Sequence, residues 1–390
     1  MALFDTKKRT RTSPMRPGEK SYDFYDTAGR ASFDIYRDLV NGWISEFPDA
    51  EQAEVISRMK IGTNAQYEQT LAEIVIFLAL TRLGHLVEIH PECPHPTHRP
   101  DFLVRNHQGD VLAYVEVTSF GPDQKIVARD HREAEIYNAL ETVDLPAGWL
   151  LGYEVDVHGA GSPSLNKLKT EVEQWAQEVC GEDSTQMPRR IFEAQDWRID
   201  LTLLGGFRKD KQYERKIGAA MAGVREVSPQ VDLRLALRNK ARKYRIENVP
   251  YVIVVADCKN SIPVGDHVED TLIDGLFGTR HVVFKKLADG SFETFDDRGD
   301  DGFWGRHGAP RNRNVSAVAI LPEPNLWKLR DDRWQPIIAY NPFAINPVSS
   351  DLLPLAGFGN VDNEEGYGHI EGSWLADLLG LPGEWPPADE

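Results

Sequence analysis

The chain has 390 residues, 41% of them hydrophobic and 27% charged, with a formal net charge of −17. That is the composition of a globular protein with room for one large domain or two, and its acidity argues against an unselective nucleic-acid binder, whose affinity comes mostly from Lys and Arg on phosphate. Cys93, Cys180 and Cys258 are far apart and odd in number, which excludes a disulfide framework.

Lys7, Lys8, Arg9 and Arg11 make the N-terminus basic, and its poverty in apolar residues predicts a solvated, disordered tail. No signal-peptide-like apolar region follows, so the expected location is cytoplasmic. Between Ser21 and Met59, the spacing of Phe33, Tyr36, Leu39 and Val40 predicts helix. Gly62 breaks the chain, and Thr63-Asn64-Ala65-Gln66 offers a capping box for a helix that runs to about Leu83, with Gly84 as its C-terminal cap.

That helix is apolar on nearly every side, with Leu71, Ile74, Val75 and Leu78 on one stripe and Ile76, Phe77 and Leu80 on another, so it is expected to be buried. Glu73 shares the second stripe, too deep in the helix for a first-turn carboxylate favoured by the dipole. The uncharged stretch Ile74–Thr81 falls far short of the roughly 20 residues that span a bilayer, so no membrane partner is expected. His90, Cys93, His95 and His98 follow in a Pro-rich loop. They lack the two separated ligand pairs usual for structural zinc, and the segment reads as a stiff connector.

Two apolar runs, Phe102 to Val104 and Val111 to Val117, flank a polar turn at Asn106 to Asp110 containing Gly109, which predicts a β-hairpin. Asp101 opens the first strand. Alternation puts Tyr114, Glu116 and Thr118 on one face of the second strand, with Val115 and Val117 on the other. A carboxylate buried among such residues costs several kcal/mol unless a cation or donors meet it. Two of them at the root of one hairpin point to a divalent metal.

At these residues the chain resembles the PD-(D/E)XK nuclease superfamily. Pro100-Asp101 and Glu116-Val117 match its hallmark, Thr118 stands at the lysine position, and Glu73 matches the carboxylate often carried by the preceding helix. The resemblance implies an α/β, restriction-endonuclease-like core, a mixed central sheet flanked by helices. It also implies Mg²⁺, with Mn²⁺ as a substitute, held by Glu73, Asp101, Glu116 and the Val117 carbonyl. The missing lysine would otherwise orient the attacking water.

Beyond Ser119, Lys125–Val143 reads as helix, Trp149–Val157 as strand, Leu165–Val179 as an amphipathic helix and Arg198–Leu204 as strand, which makes residues 121–228 a large α/β insertion. Gly205-Gly206 and the run Arg208–Lys216 read as a turn and a solvated segment. In Pro229–Ile246, Leu233, Leu237, Ala241 and Tyr244 define an inward helical face that also carries Lys240, while Arg234, Arg238, Arg242 and Arg245 form a separate stripe. An inward ammonium needs a partner, and a carboxylate and phosphate cluster would supply one. Lys240-x-x-x-Tyr244 resembles the Gln-x-x-x-Tyr element of exonuclease-like branches, and several branches have moved the catalytic lysine to this helix.

Pro250–Ala256 is a continuous apolar run suited to a central strand buried on both faces. With Leu86–His90 as a first strand, the element order matches the superfamily over residues 64–119 and 229–257. Val282–Lys286, Phe292–Phe295 and Val315–Leu321 read as strands of a small extension. Asp296, Asp297, Asp300 and Asp301 lack calcium-loop spacing, and Trp374, Leu375, Leu378 and Leu379 predict a short docking helix.

The expected organisation is a basic tail and helical preface over 1–60, a nuclease core over 61–257 containing the insertion, and a β-rich C-terminal extension over 258–390. The resemblance implies a Mg²⁺-dependent DNA endonuclease, of use in restriction or anti-phage defence. Asp101, Glu116 and Lys240 would be catalytic, and Arg99, His98, Thr118, Tyr244, Arg238 and Arg242 would contact substrate. The alternatives are an inactive nuclease fold that binds nucleic acid, or a sensor that meets a protein partner or a second copy.

Overall fold

The structure is a computed structural model that describes residues 1–120, 124–180, 187–205, 213, 215–221, 228–258, 262, 267–287, 289–360 and 367–386. The chain divides into two compact units, one of Met1–Ser13, Lys20–Gly121 and Val227–Glu390, the other of Pro14–Glu19 and Pro122–Glu226. It is a mixed α/β protein with a large mixed sheet flanked by helices.

The first unit opens with four helices, α1 (Ser21–Thr27), α2 (Ala31–Ser45), α3 (Asp49–Ile61) and α4 (Asn64–Arg82). The predicted capping box is present: Thr63 Oγ1 accepts from the Gln66 backbone N–H while the Gln66 side chain accepts from the Thr63 backbone N–H. At the other end Gly84 takes φ +88°, and the His85 N–H reaches back to the Leu80 carbonyl, which is the six-to-one bond that closes a helix at a left-handed residue. From Thr70 to Leu80 every residue of α4 is buried, as its all-round apolar pattern requires.

The N-terminus departs from expectation. Leu3 and Phe4 are buried in the core, and Arg9 donates to both Asp5 and Asp26. Two apolar side chains anchor the segment, and local carboxylates absorb charge that would otherwise favour a solvated tail.

Strands β1 (Leu86–Ile89), β2 (Phe102–Arg105) and β3 (Val111–Phe120) form an antiparallel meander. The β2–β3 turn is closed by Asn106, whose side chain accepts from the Gln108 and Asp110 N–H groups, with Gly109 at φ +91°.

The second unit contains α5 (Gln124–Leu140), β4 (Leu150–Val157), α6 (Leu165–Val179), β5 (Arg189–Ala194), β6 (Trp197–Leu204) and β7 (Ile217–Met221), with a four-stranded sheet in the order β5-β6-β4-β7. It has its own core, in which Leu151, Tyr153, Ile199, Leu201 and Leu203 meet Leu168, Val172 and Trp175. Gly206 and most of the run Arg208–Lys216 lie outside the described residues.

The chain continues in the first unit as α7 (Pro229–Ala241), β8 (Tyr251–Asp257) and α8 (His267–Phe277), then the hairpin β9 (Arg280–Lys286) with β10 (Phe292–Arg298), and the short pair β11 (Gly305–Arg306) and β12 (Ala309–Pro310). Strands β13 (Ala317–Pro322), β14 (Ile337–Tyr340), β15 (Gly357–Asn360) and β16 (Tyr367–Ile370) follow, and α9 (Leu375–Leu378) docks through Leu375 and Ala376. The main sheet runs β1-β2-β3-β8-β13-β14-β15-β16, with β3, β8 and β13 parallel.

Ala317–Pro322 is a central strand of the main sheet, between β8 and β14. Val318 and Ile320 pack on one face of the sheet and Ala317, Ala319 and Leu321 on the other. The uninterrupted apolar run of β8 divides in the same way. Val252, Val254 and Ala256 join the core of α4, and Tyr251, Ile253 and Val255 join that of α7 and α8.

The predicted Pro229–Ile246 helix stops at Ala241. Arg242 caps it, and Arg245 takes φ +57°. The turn between them still buries Tyr244 completely.

Candidate active site

The hairpin register sets Phe102 against Val115, so Asp101 at the strand entrance comes opposite Glu116. The Val117 N–H donates to Asp101 Oδ2 at 2.6 Å, and the His90 N–H donates to the Asp101 carbonyl at 2.9 Å. Removal from water holds the Asp101 carboxyl well above the usual range, with the charges of Glu116 and Glu73 adding to the effect and the Val117 N–H and Lys240 opposing it.

Glu116 is 1% exposed and lies on the α7 side of β3. Lys240 Nζ donates to its Oε1, while Oε2 is buried with no partner among the described residues. Tyr244 lies against the same carboxylate, and its hydroxyl is pushed far above its ordinary pKa by burial and then by Glu116. Thr118 is buried two residues on along the same strand face.

Glu73 projects from α4 and is gripped by Arg58 of α3, with Nη1 to Oε2 at 2.6 Å and Nη2 to Oε1 at 2.7 Å. Gln69 Nε2 adds a 3.2 Å bond to Glu73 Oε1 and accepts at its own Oε1 from Ser119 Oγ at 3.1 Å. A crevice of about 20 Å³ beside Glu73 and Asp101 is also lined by Arg58, Glu51, Glu54 and His90. Glu51, Glu54 and His90 each offer a ligand atom within 4.8 Å of the others. The crevice has room for a water or a bare ion.

No protein family, curated protein or solved structure matches this chain.

The fold brings Glu73, Asp101, Glu116, Lys240 and Tyr244 into one cluster, and the other expected contacts are placed as follows. His98 is in an exposed loop with its ring stacked on His95 at 4.4 Å, and Arg99 donates to the His90 carbonyl at 3.3 Å. Arg238 and Arg242 line a different cavity. Arg234, the first of the expected arginine stripe, is buried and pairs with Asp301 at 2.7 Å, while Asp296 pairs with Arg280, and Asp297 and Asp300 pair with Arg306. That aspartate group is therefore a set of ion pairs.

Sequence reading missed Arg58, Gln69, Glu51 and Glu54. Glu54 and Arg58 stand at i and i+4, as do Gln69 and Glu73, which marks shared helix faces. The link between the two helices is tertiary. His90 likewise joins Glu51 and Glu54 and not the neighbouring Cys93, His95 and His98.

Three carboxylates, Glu73, Asp101 and Glu116, face two cations, Arg58 and Lys240. Arg58 commits both oxygens of Glu73. That leaves the orphaned Glu116 Oε2 and the strongly raised Asp101 carboxyl, two buried oxygen donors that a hard divalent ion would satisfy.

Proposed function

We propose that this chain is a metal-dependent DNA phosphodiesterase built on a restriction-endonuclease-like core. The observation that carries the reading is Lys240 on Glu116, beside Asp101. Thr118 leaves the motif without its lysine, and an ammonium from the end of α7 comes to the neighbouring carboxylate.

Asp101 and Glu116 would hold Mg²⁺ or Mn²⁺, hard ions that protein sites often bind through one or two carboxylates with water and substrate phosphate completing the shell. The ion, when bound, supplies Lewis-acid charge at the phosphate and a water of lowered pKa. The Val117 N–H fixes one Asp101 oxygen and so orients the carboxylate. Lys240 uses one donor on Glu116, and its ammonium has others for a phosphate oxygen or the attacking water. Arg58 neutralises Glu73 and so limits repulsion at Asp101.

The test is cleavage of supercoiled, linear and single-stranded DNA with each ion. Asp101→Asn is expected to abolish cleavage while circular dichroism stays unchanged, and Lys240→Met to lower it by about 10²–10³-fold. Undiminished cleavage by Asp101→Asn overturns the assignment. A second reading draws on the same ion pairs: with Arg58 on Glu73 and Lys240 on Glu116, most of the acidic charge is balanced without a metal, as suits a non-catalytic module that binds nucleic acid or a partner. Metal-independent DNA binding with no cleavage under either ion would select it.

A further inference from the structure

At the C-terminal end of α7 lies an open cavity of about 1160 Å³, lined by Arg238, Arg242 and Arg245 from the helix end and by Arg311 and Arg313 from the segment before β13. Glu247 is the one carboxylate among the lining residues. All five arginines are exposed, and none forms an ion pair among the described residues. Three are steadied by backbone carbonyls, which orient a guanidinium without cancelling its charge: Arg238 on Asp301 at 3.3 Å, Arg311 on Asp300 at 2.9 Å and Arg313 on Phe343 at 3.0 Å. The neighbouring Arg234 and Arg306 are by contrast neutralised by Asp301 and Asp300.

The two walls are tied together. Asn314 Nδ2 donates to the Ala241 carbonyl at 2.6 Å, Asn312 Nδ2 to the Phe303 carbonyl at 2.6 Å, and the Arg311 N–H to the Trp304 carbonyl at 2.7 Å. Arg245 and Asn312 both hold left-handed backbone, at φ +57° and +45°. Such conformations are uncommon outside glycine and persist only where surrounding structure enforces them. The backbone that carries the basic surface is thus tied across the two walls, within a chain of net charge −17.

We infer that this groove seats the phosphodiester backbone of double-stranded DNA, which makes a duplex the substrate of the site proposed above. The groove is open and, at about 1160 Å³, slightly above the roughly 300–1,000 Å³ of ordinary small-molecule sites, so it has room for an extended polyanion. Guanidinium forks match phosphate geometry. Single-strand binders combine positive charge with exposed aromatic stacking platforms. The one aromatic side chain in this lining, Phe303, is fully buried, so the groove can track a backbone but cannot stack a splayed base. Position supports the assignment, because Lys240 of the carboxylate cluster falls between Arg238 and Arg242 in sequence, on the same last turn of α7. A helix about 10–12 Å across separates its opposite faces, so a duplex in the groove would place a phosphate a few nucleotides from the carboxylates. The inference rests on the nuclease reading for the identity of the polyanion.

The test is fluorescence anisotropy of the full chain in EDTA with a short labelled duplex, the same sequence single-stranded, the corresponding RNA duplex, and polyglutamate as an acidic-protein mimic, at about 50–200 mM salt. Duplex DNA is expected to bind tightest. Arg242→Gln and Arg311→Gln should each reduce the slope of log K against log salt by about 1, with Arg333→Gln as an unaffected control. Melting curves of the variants should match the wild type; Arg311→Lys should keep the slope if a variant melts early. Equal binding of single strand and duplex, preference for RNA or polyglutamate, or no change in slope overturns the inference. Duplex binding with these slopes but no cleavage in Mg²⁺ or Mn²⁺ leaves the groove standing and sinks the nuclease reading; cleavage with unchanged slopes does the reverse.

Discussion

Lys240 and Glu116 form a pair with the lysine side chain 20% exposed and the glutamate 2%. Lys240→Met leaves a buried carboxylate without its cation, and losing one member of such a pair costs about 3–5 kcal/mol. Urea unfolding should show that loss near neutral pH, and Glu116→Gln with Lys240→Met should recover most of it because neither member of the pair then carries a charge. Asp101 behaves in the opposite sense. Its folded-state pKa lies above the unfolded value of about 3.9, so the folded state takes up the proton more readily. In EDTA its contribution to stability is largest at low pH and declines as pH rises from about 4 through the folded pKa. Asp101→Asn should therefore gain on the wild type progressively over that window in paired urea titrations. A constant difference across pH would show that Asp101 is not held neutral. The sequence placed Asp101 and Glu116 at facing ends of one hairpin because register follows from alternation and a short turn. It carried no sign that Arg58 claims Glu73, since an ion pair between two helices leaves no periodic trace in either.

Elements with a dense local code were legible. The α4 start follows from Thr63 and Gln66, and Thr63→Ala should cost about 1 kcal/mol, measurable as a shift in the denaturation midpoint with unchanged slope. The Leu165–Val179 helix forms with its predicted bounds and buries Leu168, Val172 and Trp175 of its apolar face, while Val179 at its end is exposed. At α7 the pattern continued through Tyr244 and Ile246, yet the helix ends at Ala241. Leu233, Leu237, Ala241, Tyr244 and Ile246 all pack into the same core, and a turn buries the last two as well as a further helical turn would. Apolar spacing reports burial and does not by itself report where hydrogen bonding stops.

Across the whole molecule, each compact unit has a hydrophobic core of its own. Leu201→Ala in the smaller unit should cost about 2–5 kcal/mol. In calorimetry it is expected to lower one transition and leave the one carrying the α4 and α7 cores in place; a single transition moving as a whole would show that the units unfold together. No described helix is long and apolar enough to cross a membrane, which agrees with the hydropathy of the chain. Much was determined by sequence alone: the helix α4 with its caps, the β2–β3 hairpin, the helix α6, the burial of β8 on both faces, and which residues share a strand face. These follow from side-chain periodicity and turn chemistry, which act over a few residues. Tertiary structure alone decided that Ala317–Pro322 is a central strand, that His90 sits with Glu51 and Glu54, that Arg58 grips Glu73, and that arginines some seventy positions apart, Arg242 and Arg311, line one groove. Each joins segments distant in the chain, and such pairings depend on how the sheet is ordered and which faces its helices cover, a property of the packed whole that no local pattern encodes.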